Sequence, residues 1–528
     1  MKRRDILKYS GYGMVAGVLS PLTSAGHTAD VTSPLLNTRY GKVAGHREQG
    51  INVFKGVRYG ADTSHYRFQA PQPPVPWSGV QRADDYGPAS PQRNTQEPVS
   101  EDCLYLNIWT PGIRDHGQRA VLVYIHGGEY STGSGSDALY DGIRLCQRGD
   151  AVVVTLNHRL NVFGHLYLDE LAGGKYQCSG NAGLLDIVLA LKWIRDHAEE
   201  IGGNPQRVTL FGQSGGGAKI ACLMAMPAAQ GLFHHVMTMS GQQITVSGPH
   251  AATRRTRALM NTLHFARVDI QSLLNTSMEE LIHATTAHDP SLEGRSLYFG
   301  PVLDDVVLQR HPFYPDAPSI SQHIPMIIGN THDETRFFYG KDDSLQALSW
   351  KTLHERLGDA MYVDIDVHKV INAYRQHYPQ YTPSEVFFAA STAGRSWRSA
   401  IIEAELRAQQ RAPAFVYQLN FKSPLDDGRW GACHTLDIPL VFNNIDKHGS
   451  KTGTDANAQK VSMTMCDALI HFARTGNPDH HGMPAWQPYL LPERNTMIFD
   501  VQSRMENDPR AFERKLFSQV PYIQRGTY

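Results

Sequence analysis

The sequence predicts an α/β protein with a mostly parallel sheet, and two observations carry that expectation. Between residues 120 and 240, short apolar runs alternate with stretches of helical spacing, the pattern of strands connected by helices. Within that region a strand, a glycine turn and a helix meet around one serine. Residues 208–211 are apolar and partly β-branched, residues 218–226 favour helix until Pro227, and Gly212-Gln213-Ser214-Gly215-Gly216 lies between them. A serine on so tight a turn projects its hydroxyl beyond the sheet edge. Gly212 and Gly216 leave room for the turn, and the Gly215 amide points to where a tetrahedral oxyanion forms.

The remaining elements follow in order. Residues 1–29 read as a secretory signal of the twin-arginine type: a basic start containing Lys2-Arg3-Arg4, a weakly apolar run to Leu22, and small residues near Ala25 and Ala29. The mature protein is then expected in the periplasm or secreted. Residues 38–45 and 51–57 read as short strands with a turn near Gly50, and the proline-rich residues 70–77 as loop. Residues 105–109 alternate as a strand does. Residues 120–125 and 151–156 are continuous apolar runs, as buried parallel strands require. The first ends in His126-Gly127-Gly128-Glu129-Tyr130, where a glycine pair lets backbone amides approach a ligand closely. Helical spacing covers residues 181–200, and Gly202-Gly203-Asn204-Pro205 is expected to stop it. Residues 236–240, 325–329 and 414–419 read as further strands. Helices are expected at 253–265, at 277–286 behind a Ser277/Glu280 capping box, and at 461–475. Apart from the signal, one catalytic domain is expected over residues 30–528, with insertions near 241–320 and 341–412, the second mostly helical and polar.

Composition narrows the function. A 41% hydrophobic, 19% charged chain of 528 residues has material for a large core. A net charge of −1 gives no global field to attract nucleic acid or an anionic membrane. No run after the signal is long enough to insert stably in a bilayer. Most of the 25 histidines are scattered singly and read as surface or loop positions, and no pair shows trustworthy metal-ligand spacing. The six cysteines are too widely spaced for a small disulfide scaffold.

A serine hydroxyl needs a base within hydrogen-bond reach, and the base needs an orienting carboxylate. Ser214, Glu334 and His434 occur in the order serine, acid, histidine. Glu334 follows the strand ending at Gly329, and His434 follows the strand ending near Leu419.

With these residues in place, the chain resembles the type-B carboxylesterase and lipase family, which includes cholinesterases and para-nitrobenzyl esterases. Glu101-Asp102-Cys103-Leu104-Tyr105-Leu106-Asn107 is similar to one family signature and Phe211-Gly212-Gln213-Ser214-Gly215-Gly216-Gly217 to the other. Asn157-His158-Arg159, Asn181-Ala182-Gly183-Leu184 and Gly476-Asn477-Pro478 match in order too, and the resemblance runs from about residue 34 to 500. It implies an α/β-hydrolase fold with a large twisted, mostly parallel central sheet, flanking helices and helical lid insertions. It also implies Ser214 as nucleophile, Glu334 as acid and His434 as base. The oxyanion amides fall on Gly128, Glu129 and Gly215, and a supporting serine and carboxylate on Ser240 and Asp437. The expected activity is hydrolysis of a small-molecule carboxylic ester through an acyl-enzyme, with no metal or organic cofactor implied and oligomeric state open.

The chain departs from the family's pattern in places. Glu129 stands where glycine or alanine is usual. Its carboxylate is expected to turn away from the oxyanion; the alternative is that it faces the pocket and selects polar or cationic substrates. Gln213 replaces a usual glutamate. No cysteine precedes Cys103, so the family's short disulfide cannot form. The competing readings are a lipase or amidase on the same three residues, a non-catalytic cholinesterase-like binding protein, and a thiol nucleophile at Cys222 or Cys433.

Overall fold

The structure is a computed structural model describing residues 33–265, 269–292, 294–524 and 526. The signal-type segment over residues 1–29 lies outside the described residues. Fourteen strands are present among them: β1 (Leu35–Asn37), β2 (Lys42–Ala44), β3 (His46–Glu48), β4 (Ile51–Arg58), β5 (Val80–Arg82), β6 (Tyr105–Thr110), β7 (Arg119–Ile125), β8 (Val152–Leu156), β9 (Gly203–Gln213), β10 (His235–Met239), β11 (Met326–Thr331), β12 (Ala414–Leu419), β13 (Asn495–Phe499) and β14 (Arg504–Asn507). Eleven of them form one sheet in the order β14-β13-β12-β11-β10-β9-β7-β8-β6-β4-β3, and β1, β2 and β5 form a small second sheet. From β8 across to β13 every neighbouring pair is parallel, while both edges are antiparallel.

The apolar runs are continuous because helices cover both faces of the sheet. Successive residues point to opposite sides. In β7, Val121, Val123 and Ile125 enter one core, with helix Ala182–His197 and helix Gly215–Met224. Ala120, Leu122 and Tyr124 enter the other, with Phe442 and helix Ala456–Thr475. That last helix starts earlier than expected because Asp455 caps it, accepting from the Ala458 amide, and it ends on Gly476 at φ 75°. The insertion regions carry their own cores. Helices Pro249–Thr262, Ile270–Asn275 and Met278–Ala284 bury Leu259, Leu273 and Leu281 against Phe163 and Leu166. Helices Trp350–Met361, Val367–His377 and Pro383–Thr392 bury Leu357, Tyr374 and Phe387 together with Phe517. The Ser277/Glu280 capping box is formed.

One boundary differs from expectation. Strand β9 already starts at Gly203, inside the segment expected to stop the preceding helix and lead into this strand. The ladder pairs Arg119 with Gly203 and then Val121 with Val208, so extra residues bulge out and Pro205 needs no ladder hydrogen bond. A few histidines are core residues: His126, His158 and His165 are buried, and the rings of His126 and His158 stack with centroids 4.7 Å apart.

Candidate active site

Strand β9 delivers its last residue, Gln213, to the C-terminal edge of the sheet, and helix Gly215–Met224 begins two residues later. Ser214 between them has φ 55° and ψ −127°, a strained backbone for a residue with a side chain. Close packing sustains it. A Cβ on Gly216 would lie 1.9 Å from the Ile125 carbonyl oxygen of β7, and one on Gly212 would lie 2.7 Å from the backbone of Gly216. The Ser214 amide donates to the Met239 carbonyl at 2.8 Å.

The loop after β7 forms the facing wall. Gly128 and Glu129 have φ 83° and 54°, and the Ser131 and Thr132 amides donate to the Gly128 carbonyl at 3.1 and 3.0 Å. The loop abuts the serine turn so closely that a Cβ on Gly215 would lie 2.2 Å from the Glu129 carbonyl oxygen. The three residues assigned to the oxyanion site therefore meet at one place, and all line one cavity of about 920 Å³ together with Ser214 and His434.

His434 reaches that cavity from the loop after β12. Its Nδ1 lies 2.5 Å from Glu334 Oε2, a carboxylate that is fully buried and that also accepts from the Thr331 amide at 2.8 Å. Burial alone would raise the Glu334 carboxyl. The charge and hydrogen bond of His434, with help from the Ser240 hydroxyl and the Thr331 amide, hold it below its ordinary value. The rings of Phe337 and Phe338 pack 5.8 and 5.0 Å from the imidazole. Asp437 is fully buried and accepts from the Tyr417 hydroxyl at 2.8 Å. Burial, then the charge of Glu334, push the Asp437 carboxyl up to about 6.

The structure thus joins His434 to Glu334 and places Ser214 on the same cavity; Asp437 is hydrogen-bonded to Tyr417, and the Ser240 hydroxyl has no hydrogen-bond partner among the described residues. The Ser214 hydroxyl and His434 are not themselves hydrogen-bonded. Gln213 Nε2 stands 3.1 Å from His434 Nε2 and 3.3 Å from Nδ1, against the ring and between its two nitrogens. Sequence spacing gives no hint of that contact, although it marks Gln213 as the residue beside the serine. Lys219 is a further residue that sequence reasoning passes over. It is buried in the first turns of the helix after Ser214, where its Nζ donates to the His126 carbonyl at 3.1 Å, and burial pushes it down to about 7. Its signal in sequence is a lysine inside an otherwise apolar helix. The alternative thiols fare poorly: burial pushes both Cys222 and Cys433 up to about 12, far from the thiolate a nucleophile needs. Cys103 is a buried free thiol, as are four of the other five cysteines, Cys178 being half-buried.

Residues 32–517 match the profile of the carboxylesterase family. The chain is 34% identical to para-nitrobenzyl esterase of Bacillus subtilis (strain 168), over 92% of this chain and 99% of that one. It is also 34% identical to phenmedipham hydrolase of Pseudarthrobacter oxydans, over 89% and 95%. Among solved structures, a Geobacillus stearothermophilus carboxylesterase superposes with a TM-score of 0.81 at 32% identity, covering 92% of this chain and all of that one. The matching architecture is the α/β-hydrolase fold. Likeness at this level along nearly the whole chain, on top of the site geometry, means that the chain belongs to the carboxylesterase family and hydrolyses carboxylic esters.

Proposed function

We propose that ester cleavage runs through a covalent acyl-enzyme on Ser214, with His434 as general base and Glu334 as its orienting acid. One observation carries the reading: a buried carboxylate grips His434 Nδ1 at 2.5 Å beside the same cavity into which a strained turn presents Ser214. The Glu334 bond assigns the Nδ1 proton and leaves Nε2 as the acceptor. The Ser214 hydroxyl closes on that Nε2 when the ester binds. His434 removes the hydroxyl proton as the oxygen attacks the ester carbonyl carbon. The carbonyl oxygen becomes an oxyanion facing the amides of Gly128, Glu129 and Gly215, backed by the N-terminus of helix Gly215–Met224. The imidazolium protonates the departing alcohol, and water repeats the cycle on the acyl group.

Pre-steady-state hydrolysis of p-nitrophenyl butyrate tests this. Wild type gives a burst of p-nitrophenol matching the active-site concentration, and Ser214→Ala gives none. A burst that survives in Ser214→Ala sinks the proposal.

We also propose that the enzyme works outside the cytoplasm. The basic twin-arginine start and the small residues before position 30 support export of the folded protein.

A further inference from the structure

The charges lining the cavity are unbalanced. Among the described residues, Arg93, Arg295 and Arg395 reach it, together with the carboxylate of Glu129. None of these three arginines forms an ion pair among the described residues, whereas most other arginines in the molecule have a carboxylate partner within 4 Å. An unpaired guanidinium on the wall of a partly desolvated cavity attracts an anion more strongly than one on an open surface.

Arg395 is the most firmly placed of the three. It lies in a π-helical turn, Ala393–Trp397, between helix Pro383–Thr392 and helix Arg398–Gln409. The wider turn shifts side chains out of α-helical register, a distortion found frequently at functional sites. Its guanidinium lies over the Phe338 ring at 3.8 Å and near the Tyr362 ring at 4.8 Å. The Tyr339 hydroxyl is hydrogen-bonded to the Arg395 guanidinium and to Tyr362. A guanidinium has five N–H donors, so a planar acceptor can still be bound alongside Tyr339. Phe338 is the same ring that packs against His434, so a single aromatic ring separates this cation from the proposed base.

We propose that Arg395 is a specificity-determining residue that selects esters carrying a second, free carboxylate, such as the monoesters of dicarboxylic acids. The inference rests on the Ser214 reading of the site and adds the substrate class. The reacting carbonyl lies at Ser214, and the distal carboxylate is received by Arg395 on the wall formed by Phe338, Tyr339 and Tyr362. Arg295 strengthens the field from the other insertion. Glu129 favours cationic groups, but among the described lining residues it stands against three guanidiniums.

The test compares monoethyl adipate with ethyl hexanoate, which share a six-carbon acyl chain and differ in the terminal carboxylate. Hydrolysis is followed by titration at constant pH. In wild type, kcat/KM for the monoester relative to the neutral ester falls as salt rises from about 20 to about 500 mM, because the selecting interaction is between charges. Arg395→Gln lowers that ratio about tenfold, mostly through KM, and Arg395→Lys restores part of it. An unchanged ratio in Arg395→Gln overturns the inference. If that variant does not fold, the wild-type salt series decides, and a ratio that does not fall as salt rises overturns the inference. Turnover of ethyl hexanoate with none of monoethyl adipate overturns the charge selection and leaves the serine mechanism standing. Hydrolysis by Ser214→Ala overturns the serine mechanism instead.

Discussion

Glu334 shows how much a single side chain carries here. It is fully buried, it accepts from the Thr331 amide and from His434, and its ionised form is what fixes the imidazole tautomer. Glu334→Gln keeps the shape and removes the charge. The amide then offers an N–H where Nδ1–H needs an acceptor, so the ring is free to turn its other tautomer toward Ser214. The expected outcome is a fall in kcat of about 10³–10⁴-fold with KM nearly unchanged, since the lost interaction matters when the imidazolium forms. Steady-state kinetics on p-nitrophenyl butyrate checks it; a loss confined to KM would assign Glu334 to substrate binding. At this scale, the order of Ser214, Glu334 and His434 and their places after strands were legible in the sequence. The Gln213 amide on His434 was not, because a hydrogen bond across 221 positions leaves no trace in spacing.

Among elements, helix Arg398–Gln409 has an energetic weak point. Glu403 on it is fully buried. One oxygen accepts from the Gln243 amide at 2.9 Å, and the other has no partner. Burial pushes its carboxyl up to about 8, from an ordinary value near 4.5. The folded protein therefore holds this proton where the unfolded chain has released it. The favourable contribution is complete below about pH 4.5 and is lost as pH rises toward 8. Glu403→Gln keeps the acceptor for Gln243 and removes the titration. It should raise Tm at pH 8. The gain corresponds to a few kcal/mol, since each tenfold change in proton affinity is worth roughly 1.4 kcal/mol. The difference from wild type should shrink steadily toward pH 5. Thermal melts across that range check the sign, and a gap that widens on acidification would refute the account. Elements were legible where burial made them apolar. Strands β7, β8, β11 and β12 appeared as uninterrupted runs because both of their faces are covered. Strand β14, whose Arg504-Met505-Glu506-Asn507 is half exposed at the sheet edge, carries no such run and was not anticipated. The π-turn at Ala393–Trp397 was hidden inside a long helical pattern for a related reason: one extra residue per turn barely alters composition.

For the whole molecule, the route to its working compartment follows from how the fold holds together. All six cysteines are free, and five of them are buried within packed cores. Stability comes instead from a sheet covered on both faces and from buried ion pairs such as Arg159 with Asp186 at 2.7 Å, which ties the loop after β8 to helix Ala182–His197. No disulfide is formed among the described residues, which suits the proposed export of an already folded chain. Under that proposal, Arg3-Arg4 ahead of a weakly apolar segment would be the address. Arg3→Lys with Arg4→Lys preserves the charge and removes the arginine pair. Fractionation of a bacterial host should then find wild-type esterase activity outside the cytoplasm and the double variant's activity inside it. The retained enzyme should be as active per molecule as the exported one and indifferent to added reductant, because neither its site nor its cores contain a disulfide to lose. Equal distribution of the two proteins between fractions would remove the case for export. A retained variant that is inactive until oxidised would contradict the free-thiol architecture and leave the question of export open to a different leader.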